Sequence, residues 1–372
     1  MSPLQIKFTY FFRKFCLGRS FTRLLFFPLF FLVFSHSTIF AQEEKLSPSK
    51  TFKARFSIVV LPDTQQYVLG DFKEWVHIFE SQTRWIFDNI FEKNIKFVIH
   101  LGDIVETNDI KEWKLAEKFI KNLDGMVPYA LALGNHDVPA GDLRDSYLFN
   151  RYFSESHSQS FPSHGGVFEH GKMDNSYHFF QGGGQDFLVV VLEPVPRDEV
   201  VSWANQIISK HPNNSVILVT HCYVSSQGIL LGPGMAGNLK FFFESNASTS
   251  NDGEELWESL GRHHKNIKMI LSGHILETGI GNRLDQGKYD NHVFGLASNY
   301  QNLPEGGSGF LRILHFSNDG QKALVETYSP YLDSYKRDPG NHFIIDFSKG
   351  TFEFPEKTGE TITPIIDPKP WP

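Results

Sequence analysis

The chain has 372 residues, of which 41% are hydrophobic and 21% charged, with 35 Lys and Arg against 42 Asp and Glu. This composition argues against intrinsic disorder, collagen-like sequence and coiled-coil repeats, and the length supports one large domain or two ordinary ones. Two cysteines, Cys16 and Cys222, are too few for a disulfide-stapled scaffold.

Residues 1–41 differ from the rest of the chain. They contain five basic residues, no acidic residue and 11 of the 36 phenylalanines. A basic stretch, the apolar run Leu24–Phe34 and polar residues follow one another as in a secretory signal peptide, which predicts cleavage after Ala41 and a secreted or periplasmic protein. The alternative is an uncleaved membrane anchor, because residues 24–41 are almost as long as the roughly 20 apolar residues of a membrane span.

The charge of the remaining chain limits its partners. Without residues 1–41, 30 basic residues stand against 42 acidic ones, a net charge of −12. A chain this acidic has no general attraction for nucleic acid or for an anionic lipid surface. We expect no nucleic-acid partner, and membrane association only if the N-terminal segment stays uncleaved. The sequence leaves the oligomeric state open.

Strand and helix patterns alternate after a polar segment, residues 42–54, which predicts a linker. Short apolar runs predict strands at Ser57–Leu61, Phe97–Leu101, Tyr129–Leu133, Phe187–Leu192, Val216–Thr220 and Ile267–Leu271. Amphipathic stretches predict helices at Glu74–Lys93, Ile110–Leu123, Asp198–Lys210 and Glu254–His264. This alternation predicts an α/β fold in which helices flank a sheet.

The last part of the domain, predicted over residues 55–348, is richer in strands. Patterns at His292–Leu296, Gly309–Phe316, Ala323–Tyr328 and His342–Phe347 predict a second sheet packed on the first. Two stretches rich in Gly, Ser and Asn, Ser154–Asn175 and Gln227–Gly253, predict long functional or disordered loops. The proline-rich residues 349–372 predict a tail that wraps the surface or frays.

Polar residues close several predicted strands, and they are the candidate metal ligands. The segments are Asp63-Thr64-Gln65, Gly102-Asp103, Gly134-Asn135-His136-Asp137, Thr220-His221 and Gly273-His274. Carboxylates, an amide and imidazoles gathered at the strand ends of one sheet suit a transition metal. A single such segment more often marks a turn, but five in this order favour a metal centre. His100, inside the second predicted strand, fits a buried residue with satisfied ring nitrogens.

In this order the motifs resemble those of the calcineurin-like metallophosphoesterase superfamily, over roughly residues 56–328. Gly134–Asp137 is the most specific part, and Pro62-Asp63-Thr64-Gln65 suggests a particular subgroup. The resemblance implies a two-sheet α/β sandwich with a dinuclear metal centre at the strand ends. It also implies hydrolysis of phosphate mono- or diesters.

The resemblance implies a set of metal ligands. Asp103 would bridge two divalent metals, while Asn135, His221 and His274 would complete one of the two sites. These oxygen and imidazole donors suit Zn, Fe or Mn. A bridge is needed because two cations about 3.5–4 Å apart can hold a hydroxide between them, which would be the nucleophile.

The resemblance also implies catalytic roles. His136 would assist departure of the leaving group, with Glu106 as the carboxylate that orients it. Asp137 completes the set of catalytic candidates, and its presence after His136 leans towards phosphodiesters, although monoesters stay open. Glu106-Thr107-Asn108 stands where protein phosphatases have Asp-Arg-Gly, which argues against a serine/threonine protein phosphatase.

The second metal site departs from the family pattern. Members commonly carry Asp-x-His at the first strand and Gly-His-x-His at the last, whereas this chain has Gln65 and Leu276 at those positions. Leu276 cannot bind a metal, and Gln65 offers only a carbonyl oxygen. Asp63, Asp103 and Gln65 therefore predict a weak, oxygen-rich site that favours Mn or Mg.

We expect an exported, metal-dependent phosphoesterase that acts on a small-molecule or headgroup phosphate ester. Because of Leu276 and Gln65, the alternative is a degenerate member with one metal or none, which binds a phosphoryl or glycan ligand without turnover. The predicted long loops, which should select the substrate, carry no motif that names it.

Overall fold

The computed structural model describes residues 50–241, 249–355 and 361–367. The predicted signal peptide, residues 1–41, lies outside the described residues, as does most of the predicted linker. Among the described residues, no helix combines the length and the apolar character that a membrane crossing requires.

The strands form two mixed sheets. Their bounds are β1 Lys50–Leu61, β2 Ile95–His100, β3 Tyr129–Leu131, β4 His164–Val167, β5 Ser176–Gly182, β6 Gln185–Leu192, β7 Ser215–Thr220, β8 Ile267–Ser272, β9 Ile280–Gln286, β10 His292–Ser298, β11 Leu311–Ser317, β12 Lys322–Ser329, β13 Ser334–Lys336, β14 Phe343–Asp346, β15 Thr351–Glu353 and β16 Ile362–Ile366. The larger sheet has the order β15-β14-β12-β11-β1-β2-β3, with β13 beside β12 and β16 beside β1. The smaller sheet has the order β4-β5-β6-β7-β8-β10-β9.

Helices cover the outer face of each sheet. Their bounds are α1 Gln65–Val68, α2 Val76–Asn89, α3 Ile110–Ile120, α4 Tyr147–Tyr152, α5 Glu155–Ser158, α6 Asp198–Lys210 and α7 Gly253–Ser259. Short 3-10 turns occupy Gly70–Trp75, Lys121–Leu123, Leu239–Phe241 and Gly261–His263. Ile86 of α2 packs on the larger sheet, and Ala204 of α6 packs on the smaller one.

The main core lies between the sheets. It contains Phe56, Ile58 and Val60 of β1 together with Val189 and Val191 of β6, all buried. These residues alternate along their strands, as expected when one face of a strand meets a second sheet. The predicted fold class, an α/β sandwich of two sheets, is therefore confirmed.

The predicted division of strands between the sheets is wrong. The strands predicted from residues 57, 97 and 129 belong to the larger sheet, whereas those predicted from residues 187, 216 and 267 belong to the smaller one. The C-terminal strands do not form a sheet of their own, because β10 joins the smaller sheet and β11, β12 and β14 join β1. Pairing depends on contacts between residues far apart in sequence, which a local pattern does not contain.

Three further expectations differ from the structure. β1 begins at Lys50, inside the predicted linker, because residues 50–54 pair with β16. The predicted tail contributes β15 and β16 to the larger sheet, so these parts of it do not fray. The predicted loop Ser154–Asn175 contains α5 and β4.

A chain of buried polar groups crosses the outer side of the larger sheet. His315 lies 2.8 Å from Ser57 Oγ through Nδ1 and 3.1 Å from Glu326 Oε2 through Nε2. Arg337 donates to Glu326 Oε1 at 2.7 Å. Burial alone would raise the pKa of Glu326, but the bonds and charges of His315 and Arg337 hold this pKa below its ordinary value.

Candidate metal centre

Three predicted ligands from both sheets meet at one point. Asp103 follows β2 of the larger sheet, while His221 and His274 follow β7 and β8, neighbours in the smaller sheet. One ligand atom from each lies within 4.8 Å of the other two. The sequence expectation that strand ends converge is met, with the two sheets supplying different ligands.

Asp103 and His221 form the buried centre of this cluster. His221 Nδ1 donates to the carbonyl of Leu101 at 2.8 Å, which leaves Nε2 facing Asp103 Oδ2 at 3.1 Å. Burial would lower the pKa of His221, but Asp103 raises it to about 9. Burial would raise the pKa of Asp103, and His221 instead holds it far below its ordinary value. The Leu101 carbonyl therefore aims Nε2 of the imidazole at the carboxylate.

Asp63 joins His274 to the cluster. Asp63 Oδ1 accepts the backbone N–H of His274 at 3.1 Å and lies 3.9 Å from His221 Nε2. Burial raises the pKa of Asp63 to about 8, and burial lowers that of His274 to about 4. Asp63 thus contacts both the His274 backbone and the His221 side of the cluster.

Several buried oxygen atoms of the predicted metal ligands have no hydrogen-bond partner in the protein. They are Asp63 Oδ2, Gln65 Oε1 and Asn135 Oδ1, while His221 Nε2 faces the carboxylates of Asp103 at 3.1 Å and Asp63 at 3.9 Å. An unpartnered buried polar atom is costly, and these three oxygens belong to predicted metal ligands on two segments, the Asp63 and Asn135 motifs. Carboxylate and amide oxygens, together with imidazole nitrogens, are the ligand atoms that a divalent transition metal binds. The residues present therefore fit a metal ion.

Two glycines of the motifs allow this close approach. A side chain at Gly134 would overlap the Asp103 carboxylate, and one at Gly273 would lie 2.5 Å from Asp63 Oδ2. Because each glycine has no side chain, a predicted ligand from another motif can occupy the space beside it. Asp103 (φ 49°) and His274 (φ 67°) themselves adopt positive φ values, which are uncommon outside glycine and occur at functional sites.

The second predicted metal site is less complete. Gln65 is buried and its Oε1 is one of the unpartnered atoms, while the Gln65 side chain hydrogen-bonds to Glu106. The Leu276 side chain is 48% exposed. Within the described residues, the one group of three or more His, Cys, Asp or Glu side chains close enough to hold a metal is Asp103, His221 and His274.

His136 lies at the edge of the cluster with one ring nitrogen free. Its backbone N–H donates to Asp103 Oδ1 at 2.9 Å, and its Nδ1 donates to the backbone carbonyl of Glu106 at 2.9 Å. The Glu106 carboxylate is farther away, with Oε1 3.6 Å from Nδ1. Glu106 therefore lies beside His136, and its backbone carbonyl, not the predicted carboxylate, makes the hydrogen bond. Burial would lower the pKa of His136, but Asp103 and the Glu106 carbonyl raise it.

Asp137 does not face the metal ligands as a free carboxylate. Oδ1 accepts the backbone N–H groups of Ile104 (2.7 Å) and Val105 (2.9 Å), and Oδ2 accepts that of Gly134 (2.8 Å). The side chain is fully buried, and burial raises its pKa to about 7. The structure therefore replaces the predicted catalytic role with a positioning role, because both oxygens bind the backbone of the two ligand loops.

Two residues outside the predicted set also brace these loops. His100 lies 3.0 Å from Thr64 Oγ1 through Nε2 and accepts the Gly102 N–H at 3.2 Å through Nδ1, which confirms that its ring nitrogens are satisfied. Glu112 accepts the backbone N–H groups of Glu106 (3.1 Å) and Thr107 (2.8 Å). In the sequence, Glu112 stands out only as an acidic residue in the first turn of a predicted helix, which does not indicate contact with the ligand loops.

Comparisons with known proteins agree with this geometry. A family model described as calcineurin-like phosphoesterase matches residues 56–277. The protein named "Uncharacterized protein YvnB" of Bacillus subtilis (strain 168) is 32% identical over 297 residues, which cover 78% of this chain and 21% of that protein. The chain thus spans about a fifth of the length of this relative.

Two solved structures that are similar to the chain share little of its sequence. A dimetal phosphatase from Danio rerio is 10% identical, with a TM-score of 0.47, covering 79% of this chain and all of that one. A purple acid phosphatase from yellow lupin seeds is 14% identical, with a TM-score of 0.46, covering 81% of this chain and 55% of that one.

Proposed function

The chain belongs to the calcineurin-like phosphoesterase family, whose model matches residues 56–277, and from this premise we propose that it is a metal-dependent hydrolase of phosphate mono- or diesters. The proposal rests on one observation above all. Side-chain oxygens of Asp63, Gln65 and Asn135 are buried without hydrogen-bond partners, and His221 Nε2 points at the Asp103 carboxylate.

Each residue has a defined task in this proposal. Asn135, His221 and His274 would hold one metal with Asp103, and Asp63, Asp103 and Gln65 would hold a weaker second one. When bound, divalent metals supply a strong nucleophile from water at neutral pH and stabilise the charge on the phosphoryl oxygens. The substrate is a small-molecule or headgroup phosphate ester.

His136 supplies the proton. Because its Nδ1 proton is held by the Glu106 carbonyl, the free Nε2 is the atom that delivers a proton to the leaving-group oxygen. The Glu106 carbonyl, which accepts the Nδ1 proton, favours the protonated ring before transfer.

Metal analysis and turnover assays test this function together. Freshly purified protein is analysed for Mn, Fe, Zn and Mg, then assayed on p-nitrophenyl phosphate and bis-p-nitrophenyl phosphate with each ion added. We expect one metal to co-purify and hydrolysis to increase with added Mn. The His136→Gln variant is the control, since it should bind metal like wild type and lose turnover.

A binding protein without turnover is the second candidate. The exposed Leu276 and the three-residue size of the described metal cluster favour it. Absence of hydrolysis with every ion, together with metal-dependent binding of a phosphorylated ligand, would support this reading over the hydrolase.

We also propose export, from the order of basic, apolar and small residues in residues 1–41. The mature N-terminus is expected at or near Gln42. N-terminal sequencing of protein recovered from the native envelope checks this, and an intact Met1 there would mean a membrane anchor instead.

A further inference from the structure

The bend after β6 has an unusual backbone. Val195 has a φ of 42°, in the left-handed region where a β-branched residue is a genuine outlier. The following residue, Pro196, should favour extended backbone at Val195. The Val195 side chain is buried. Such a conformation persists only where other contacts enforce it.

Arg144 makes those contacts. Its Nη1 donates to the carbonyl of Pro194 at 3.2 Å and its Nη2 to the carbonyl of Val195 at 3.0 Å. Nη2 also donates to Ser250 Oγ at 3.1 Å, and Nη1 lies 3.0 Å from Glu193 Oε1. The planar guanidinium thus holds two successive carbonyls of the strained bend, which a lysine ammonium does not reproduce.

The bend adjoins the strand end that carries His221. β6 and β7 are parallel and Leu192 pairs with Thr220, so Glu193 and His221 occupy the next positions of strands about 4.8 Å apart. Thr220 Oγ1 donates to the Glu193 carbonyl at 3.2 Å. A shift of the bend would therefore reach the backbone beside a metal ligand.

The bend also supports the two ligand loops. Val195 belongs to one apolar cluster with Val105, which follows the Asp103 motif, and with Val138, which follows Asp137. Arg144 itself lies farther along the loop that begins with the Asn135 motif. It therefore links that loop to the bend by hydrogen bonds, and Val195 lies in the same apolar cluster as residues of both loops.

We propose that Arg144 is a positioning residue for the metal centre: by holding Val195 in its strained conformation, it sets the place of the Asn135 and His136 loop. This inference rests on the proposed hydrolase function. A purely electrostatic role, neutralising Glu193, is the competing explanation.

Arg197 separates the two explanations. It donates to Glu193 through Nε at 2.8 Å and Nη2 at 3.1 Å. In the part of the chain that the structure describes, it donates to neither the Pro194 nor the Val195 carbonyl. Loss of Arg144 also leaves Glu193 paired with Arg197, so the buried carboxylate keeps a partner and the fold should survive.

The experiment compares Arg144→Ala, Arg144→Lys and Arg197→Ala by kcat and KM on p-nitrophenyl phosphate, the Mn dissociation constant and the melting temperature. Both Arg144 variants should lower kcat or Mn affinity by about 10-fold or more, with KM little changed, because the bend does not contact substrate. Arg197→Ala should retain the kcat and Mn affinity of wild type.

A wild-type-like Arg144→Lys, or an Arg197→Ala as impaired as Arg144→Ala, would overturn the proposal in favour of charge alone. If Arg144→Ala fails to fold, Arg144→Lys, which keeps a cation beside Glu193, decides. If the wild-type protein hydrolyses no ester, the proposed function fails, and the inference is then judged on the Mn dissociation constants.

Discussion

Removal of the Asp137 carboxylate should destabilise the fold rather than only slow the reaction. The carboxylate is fully buried and accepts three backbone N–H groups, from Ile104, Val105 and Gly134. An unsatisfied buried donor costs roughly 1–3 kcal/mol, so Asp137→Ala would cost up to about 9 kcal/mol with no relaxation. Water entry and loop movement reduce this, and we expect a loss of about 3–5 kcal/mol, as for other broken buried networks.

Asp137→Asn should fall between wild type and Asp137→Ala. Its remaining carbonyl oxygen can still accept the Ile104 and Val105 N–H groups, while its amide N–H₂ would face the Gly134 N–H. One lost bond predicts about 1–3 kcal/mol. Asp142 is the matched control, because it lies in the same loop and also accepts a backbone N–H, that of Arg144, but is exposed. Asp142→Asn should change stability by less than about 0.5 kcal/mol.

Urea-induced unfolding measures the free energy of unfolding of all four proteins, and metal analysis accompanies it. The positioning role predicts that stability and bound metal decrease together, in the order wild type, Asp137→Asn, Asp137→Ala. If Asp137→Asn unfolds like wild type and loses only kcat, Asp137 touches the reacting atoms and the reasoning fails.

Three other predictions concern the metals and pH. Asn135→Ala and His221→Ala should each abolish activity and lower the metal that co-purifies; wild-type metal content in both would contradict the ligand assignment. Leu276→His should lower the Mn concentration for half-maximal activity about 10-fold, and Gln65→His should lower it by a smaller factor. If this concentration is unchanged in a folded Leu276→His variant, position 276 does not face the metals. The depressed pKa of Glu326 stabilises the fold above pH of about 4.5, and this contribution is lost as the pH falls further. Glu326→Gln should therefore lose less stability than wild type at acidic pH, measured by urea unfolding at a series of pH values. An equally steep loss of stability in this variant would refute the linkage.

The sequence predicts elements well where the signal is local. Asp198–Lys210 is helical over the predicted range, because its apolar residues recur with a helical period and face the smaller sheet. The ligand motifs could also be found, since each is a contiguous run of polar residues at the end of an apolar strand. The common meeting point of Asp103, His221 and His274 follows from those strand ends.

The sequence does not show which strands pair, or which atom of a residue makes a given hydrogen bond. The pattern at β10 resembles that at β11, yet the two strands enter different sheets. The sequence suggests Glu106 as the partner of His136, and in the structure its carbonyl, not its carboxylate, makes the hydrogen bond. From the sequence alone Asp137 is a catalytic candidate. Its three backbone N–H partners cannot be predicted locally, because they lie on two loops that only the fold brings together.

The pairing of β16 with β1 bears on the order in which the molecule can be completed during synthesis. Residues 50–54 of β1 pair with Ile362–Ile366, and pairing with β11 begins at Ala54. A ribosome makes β1 first and its partners β11 and β16 more than 250 residues later, whereas β2 pairs only with Ser57–Leu61 of β1. Until then the start of β1 presents open backbone donors and acceptors, the kind of edge that recruits other chains. Closure of the larger sheet is therefore a late event, and this end of the molecule is where chaperone binding or misassembly would act.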